Sequence, residues 1–206
     1  MMKKITLLMA AAFALSACGG EAAEQQPRQA ETVHAAEKEV AAKTLPLDWE
    51  TFKRRVDDDF AAADFGFAKI PDSIKPEGDA KAARLTVTLP VNDNLSAIIG
   101  QDPASQKLTN ISINLMPHSD PTENLKNFSV AAVMMSASAG DEGNRQVGGR
   151  IIKMSADAVE KFAAEVKKDD SASVEDKFVV NGVKYGILIS SVMPIMMYAE
   201  PAPDQD

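Results

Sequence analysis

The segment Leu108-Thr109-Asn110-Ile111-Ser112-Ile113-Asn114-Leu115 puts Ile111, Ile113 and Leu115 on one side of an extended chain and Asn110, Ser112 and Asn114 on the other. Strand side chains alternate between faces, so this pattern requires a core on one side and water on the other. Parallel sheets are covered on both faces and read as continuous apolar runs, so the alternation selects an antiparallel sheet with one open face. Leu85-Thr86-Val87-Thr88-Leu89 repeats the pattern. Phe178-Val179-Val180-Asn181-Gly182-Val183-Lys184-Tyr185 is a hairpin, because Asn-Gly supplies the positive backbone dihedrals of a tight primed turn, and its second strand continues through Ile187-Leu188-Ile189. About four strands are expected. Leu95 to Ile99 reads only as a short apolar segment between turns at Asn92-Asp93-Asn94 and Gly100-Gln101-Asp102-Pro103.

Helices account for the rest. Trp49, Phe52, Val56 and Phe60 recur at steps of three and four behind Asp48, an N-cap residue. Asp57-Asp58-Asp59 lies on that helix; consecutive helical acids fan around the axis instead of converging as a calcium loop requires, so they read as a solvated face. Asp120-Pro121-Thr122-Glu123 marks a second helix start, with a capping acid, proline at the first helical position and glutamate three beyond the cap. Leu125, Phe128, Ala132 and Met135 form its expected buried stripe, and Gly140 with Gly143 ends it. Ser155 is placed to cap a third helix burying Val159, Phe162, Ala163 and Val166 and stopping near Asp169-Asp170-Ser171, while Gln146 to Met154 shows no clear period. The fold class is α+β, an antiparallel sheet with helices packed on one face, and the order of elements hints at a twofold αββ pattern.

The first residues address location. Lys3-Lys4, an apolar run from Ile5 to Ala14 that is too short to span a bilayer, and Leu15-Ser16-Ala17-Cys18 follow one another. Leu-Ser-Ala-Cys resembles the lipobox of bacterial lipoproteins. The resemblance covers residues 1–18 and implies diacylglyceryl attachment to the Cys18 sulfur, removal of residues 1–17 and a mature chain that begins at Cys18. It further implies a cell-envelope protein of a Gram-negative bacterium. Gly19 stands where the family's inner-membrane retention signal would be acidic, so the implied destination is the outer membrane, held through the lipid. Burying an acyl chain is worth about 0.8 kcal/mol per methylene, so two or three chains anchor the protein permanently. Cys18 is the sole cysteine, which fits an exported chain whose one thiol is consumed by acylation.

Residues 18–44 are rich in Ala, Glu, Gln and Lys, with too few large apolar residues to order themselves, and are expected to form a flexible tether. As a coil such a stretch spans about 25 to 30 Å. Residues 45–198 remain as one globular domain, large enough to bury nearly 70% of its unfolded surface without disulfides, and 199–206 are expected to be a disordered tail. The leader carries two lysines and no acid, so its removal takes the formal charge from −8 to about −10. Nucleic-acid binding rests on clustered cations facing phosphates and is excluded as a function class.

Candidate chemistry is sparse. His118 is the only histidine of the body, Gly-x-Ser-x-Gly is absent, and Asp120 is committed to a helix cap, so no serine triad assembles from the sequence. Gly140-Asp141-Glu142-Gly143 and Gly148-Gly149-Arg150 lack the ending of a phosphate-binding loop and read as a glycine-bearing loop. A carboxylate enzyme would need two acids facing each other in a cleft, one with its pKa raised by burial. Methionine is abundant: Met116, Met134, Met135, Met154, Met193, Met196 and Met197 all lie in the body. Thioethers are soft ligands, so Met116, His118, Met193, Met196 and Met197 form a candidate Cu(I) site if they converge, and a Met-rich groove for an apolar ligand or peptide is a further alternative. With no catalytic constellation and no other cofactor indicated, the leading expectation is a non-catalytic interaction module. Its contact surfaces would be the polar sheet face at Asn110, Ser112 and Asn114 and the segment Met193 to Tyr198, and its partner an envelope protein.

Overall fold

The computed structural model describes residues 43–63, 69–79, 82–140 and 144–203. The leader, Cys18, the tether as far as residue 42 and residues 141–143 lie outside them. Among the described residues the chain forms α1 (Trp49–Ala63), β1 (Leu85–Asn92), β2 (Leu95–Gln101), β3 (Leu108–Leu115), α2 (Pro121–Ser136), α3 (Asn144–Glu165), β4 (Ser173–Val180), β5 (Val183–Ser190) and β6 (Ile195–Pro201). No helix among the described residues is long and apolar enough to cross a membrane.

The α+β class holds, but the sheet has six strands, not about four, in the order β1-β2-β3-β6-β5-β4, and neighbouring strands are antiparallel. The two additional strands are the ones whose composition conceals them. β2 is Leu-Ser-Ala-Ile-Ile-Gly-Gln, in which Ser, Ala and Gly dilute the β-branched signal. β6 emerges from the Met-rich stretch and runs into Ala199-Glu200-Pro201, so the ordered domain extends past residue 198; Ala199, assigned above to a disordered tail, is fully buried. Each half of the sheet is consequently a three-strand meander, not the two strands of the expected αββ pattern, and one helix precedes the first meander while α2 and α3 precede the second. The halves meet where β3 pairs with β6, Ile113 opposite Met197.

The alternation in the strands sorts one face into a core. Val87, Ala97, Ile99, Ile111, Ile113, Leu115, Ile187 and Met197 are essentially inaccessible and belong to the cluster that the helices cover. Each buried aliphatic or aromatic side chain contributes about 1.5–3 kcal/mol. Leu45 and Leu47, both buried, strap the domain's start to β3 through bonds from Leu45 N–H to the Leu108 carbonyl (2.6 Å) and from Leu108 N–H to the Leu47 carbonyl (2.9 Å).

The helices bear out some expectations and correct others. Asp48 Oδ1 accepts the Thr51 N–H at 2.9 Å, and Trp49, Phe52, Val56 and Phe60 are buried as the spacing required. Asp57 is not on a solvated face: it is 7% exposed, accepts the Ile70 N–H at 2.7 Å and a bond from Lys53 at 3.2 Å, and so fastens the segment after α1. Asp120 caps α2 by accepting the Thr122 N–H at 2.8 Å. Leu125, expected in the stripe, is 66% exposed, because the buried face runs one position round, through Asn127, Val130, Ala131, Met134 and Met135. Ser155 caps nothing; it is a buried residue inside α3. That helix already starts at Asn144, so Gly148-Gly149-Arg150 is helical and not a loop. Its buried stripe is Val147, Ile151, Met154 and Ala158, while Val159 and Ala163 are exposed. Two adjacent glycines, each costing a helix up to about 1 kcal/mol relative to alanine, hide its first turns from a propensity reading.

Candidate functional site

The sheet face turned away from the core carries the other half of each alternation: Asn110, Ser112 and Asn114 of β3, Lys184 and Leu188 of β5, Met196 and Tyr198 of β6 and Glu175 of β4. A groove of about 700 Å³ runs across it, with Leu188 and Met196 as apolar floor and Arg84, Glu175, Lys184 and Glu200 as charged walls. Asn110 and Ser112, picked out from the sequence, line it, and Met196 and Tyr198 of the expected Met-rich surface join them.

Two strand glycines create the shape. An added Cβ at Gly186 would lie 2.2 Å from the ζ carbon of Tyr198, so that ring lies flat across the glycine. At Gly100 a Cβ would lie 2.4 Å from Asn110 Oδ1 and 2.7 Å from Arg84 Cδ. Arg84 reaches over this bare position to donate to Asn110 Oδ1 at 3.2 Å. A glycine inside a strand marks such a close approach, and Gly186 within Lys184-Tyr185-Gly186-Ile187 is the sequence signal of one, although the register alone identifies Tyr198 as the residue that makes it.

The charges are internally compensated. Tyr198 Oη donates to Glu175 Oε1 at 2.6 Å, and Lys177 Nζ donates to Oε2 at 3.3 Å. These bonds hold the Glu175 carboxyl below its usual range, Tyr198 contributing most, and burial together with the Glu175 anion pushes the Tyr198 phenol well above its ordinary value. Lys184 pairs with Glu200 and stands 5.5 Å over the Tyr198 ring. Glu175 is thus a fixed anion and hydrogen-bond acceptor, not a proton donor. Asp48, Asp102, Asp169 and Asp176 are likewise shifted downward, each chiefly by hydrogen bonds to its neighbours. The face is therefore built to present a preorganised mixture of apolar floor and paired polar groups.

The five residues of the candidate Cu(I) site are not assembled around one point. Met197 is fully buried in the core, whereas its neighbour Met196 lies on the open face; successive strand residues point to opposite sides, so one ion cannot engage both. The pairing of Leu115 with Ile195 brings Met116 and Met193, 50% and 54% exposed, to the same end of the sheet. His118 Nδ1 accepts the Asp120 N–H at 2.9 Å, a local bond within the turn that leads into α2. Among the described residues no group of three or more His, Cys, Asp or Glu side chains is placed to hold a metal.

Fold and groove together define an α+β protein with an open, sculpted antiparallel sheet face. No family model, no characterised protein and no solved structure matches the chain.

Proposed function

We propose that this chain is a lipid-anchored, non-catalytic interaction module of the Gram-negative envelope, tethered through Cys18 to the outer membrane and docking a protein partner on its open sheet face. The observation that carries the reading is the groove itself. The helices cover one face of the sheet, while the other keeps an apolar floor at Leu188 and Met196 beside preorganised polar groups at Asn110, Lys184, Tyr198 and Glu175. Interfaces combine a modest apolar centre with satisfied polar groups around it, and a rigid sheet loses little entropy on binding. Leu15-Ser16-Ala17-Cys18 supports the anchor.

The test has two arms. Cys18→Ser should abolish labelling by a fatty-acid analogue and leave an unprocessed precursor; normal processing in that variant removes the anchor from the proposal. Leu188→Lys should abolish a crosslink formed from the groove to one envelope protein without altering the circular dichroism spectrum. A crosslink unaffected by Leu188→Lys would move the docking surface elsewhere.

A further inference from the structure

α3 carries two apolar seams. The inner one, Val147, Ile151, Met154 and Ala158, is buried in the core. The outer one, Gly149, Ile152, Ala156, Val159 and Ala163, advances by three and four residues, and all five positions are exposed, Ile152 at 51% and Val159 at 42%. The solvent side of a helix on a globular domain is ordinarily polar. Here it repeats a coiled-coil pattern for two heptads, small residues at one seam position and β-branched residues at the other. A Cβ added at Gly149 would touch nothing within 4 Å, so the ridge stands clear of the surrounding chain.

We propose that this ridge is the contact surface for a second copy of the chain, α3 packing antiparallel against its copy about a twofold axis at Ala156. The occupant follows from self-complementarity, which an isologous interface requires. With Ala156 on the axis, Gly149 of each copy comes opposite Ala163 of the other, and Ile152 meets Val159 with an offset of one residue, about 1.5 Å along the helix. Glycine and alanine at alternate seam positions let the helix axes approach closely. Lys153 and Glu160, each following a β-branched seam residue, lie on one flank of the ridge. The antiparallel alignment sets Lys153 of one copy against Glu160 of the other, twice. In a parallel alignment Lys153 would instead face Gly148 and Glu160 would face Ser155, and neither charge would find an opposite partner. In the single chain Lys153 pairs within its own helix with Asp157 at 2.7 Å, an exposed ion pair that the dimer contact extends to Glu160 of the second copy. Two short heptads bury less than the roughly 1,200 Å² of a stable interface, so the association is weak in dilute solution and responds to local concentration. It requires neither the lipid anchor nor the groove.

Disulfide trapping tests the register. In the purified full chain carrying Cys18→Ser, an introduced cysteine is the only thiol. Under mild oxidation Ala156→Cys should form dimers at least ten times faster than Ala104→Cys in the exposed β2–β3 turn. Ile152→Cys and Val159→Cys should crosslink faster when mixed than either does alone. Adding Lys153→Glu to Ala156→Cys should slow trapping, and adding Glu160→Lys as well should restore it. Trapping at Ala156 no faster than at Ala104, or a charge-reversed double variant as slow as the single one, in chains whose circular dichroism is unchanged, would overturn the proposal.

Discussion

Gly186→Ala probes how the groove is made. The new Cβ would lie 2.2 Å from the ζ carbon of Tyr198, 2.4 Å from its hydroxyl and 2.6 Å from an ε carbon, where ordinary contacts begin near 3.4 Å. The ring must therefore move by more than about 1 Å, and moving it breaks the 2.6 Å bond to Glu175. Such overpacking costs about 1–3 kcal/mol, offset by the roughly 0.5–1 kcal/mol that alanine gains over glycine in a strand. The net destabilisation is at most about 2.5 kcal/mol, or a fall in Tm of up to roughly 10 °C for a domain of this size. Urea unfolding followed by the fluorescence of buried Trp49 measures it, and the decisive arm is the same substitution in a Tyr198→Ala background. With the ring gone, Gly186→Ala should be neutral or mildly stabilising. Equal destabilisation in both backgrounds refutes the account of Tyr198 lying across Gly186.

Other outcomes follow from single contacts. Tyr185, fully buried, shares a 3.1 Å bond with Ser138, whose hydroxyl donates to the Met135 carbonyl at 2.7 Å. Ser138→Ala strands the phenol and should cost about 1–3 kcal/mol, more than Tyr185→Phe at about 0.5–1.5 kcal/mol; the reverse order in denaturant unfolding contradicts this polarity. Asp57→Ala leaves the buried Ile70 N–H without its acceptor, while Lys53 keeps Asp72 at 3.1 Å, and should destabilise by about 1–3 kcal/mol and speed trypsin cleavage at the already exposed Lys69 by loosening its backbone; unchanged cleavage there rejects the fastening role. Because the Glu175 carboxyl is held below its ordinary value in the folded state, its contribution to stability is complete above the unfolded carboxylate range and is lost as pH falls through the lowered folded value. Tyr198→Phe removes the largest cause, so the carboxyl titration of Glu175, followed by NMR, should move upward; an unmoved curve assigns the shift to Lys177 instead.

How much of this was legible depended on whether residue pattern and burial spoke the same language. β3 and the Asn181-Gly182 hairpin were read at their observed positions because β-branched alternation and a turn needing positive φ are local signals; Asn181 and Gly182 have φ of 50° and 74°. The polar groove face came with them, since Asn110 and Ser112 are the other half of the β3 alternation. β2 and β6 were missed because their stability comes from neighbours on both sides and not from their own composition. α3 shows the limit best. Val159 and Ala163 recur at a true helical spacing, but that spacing traces the exposed ridge, and nothing local distinguishes one apolar seam from the other. Tyr198, Lys184 and Glu175 come together only through the β4-β5-β6 register, which no linear spacing contains.

The central claim is that the open sheet face docks an envelope partner. A photoreactive residue in place of Ser112 in the full-length, membrane-attached chain, irradiated in intact cells, tests it most directly. The account predicts one discrete adduct that is absent when the photoreactive residue is at Ala104 and lost when Leu188→Lys is added. No adduct from Ser112 in a folded, membrane-attached chain, or the same adduct from Ala104, would contradict it.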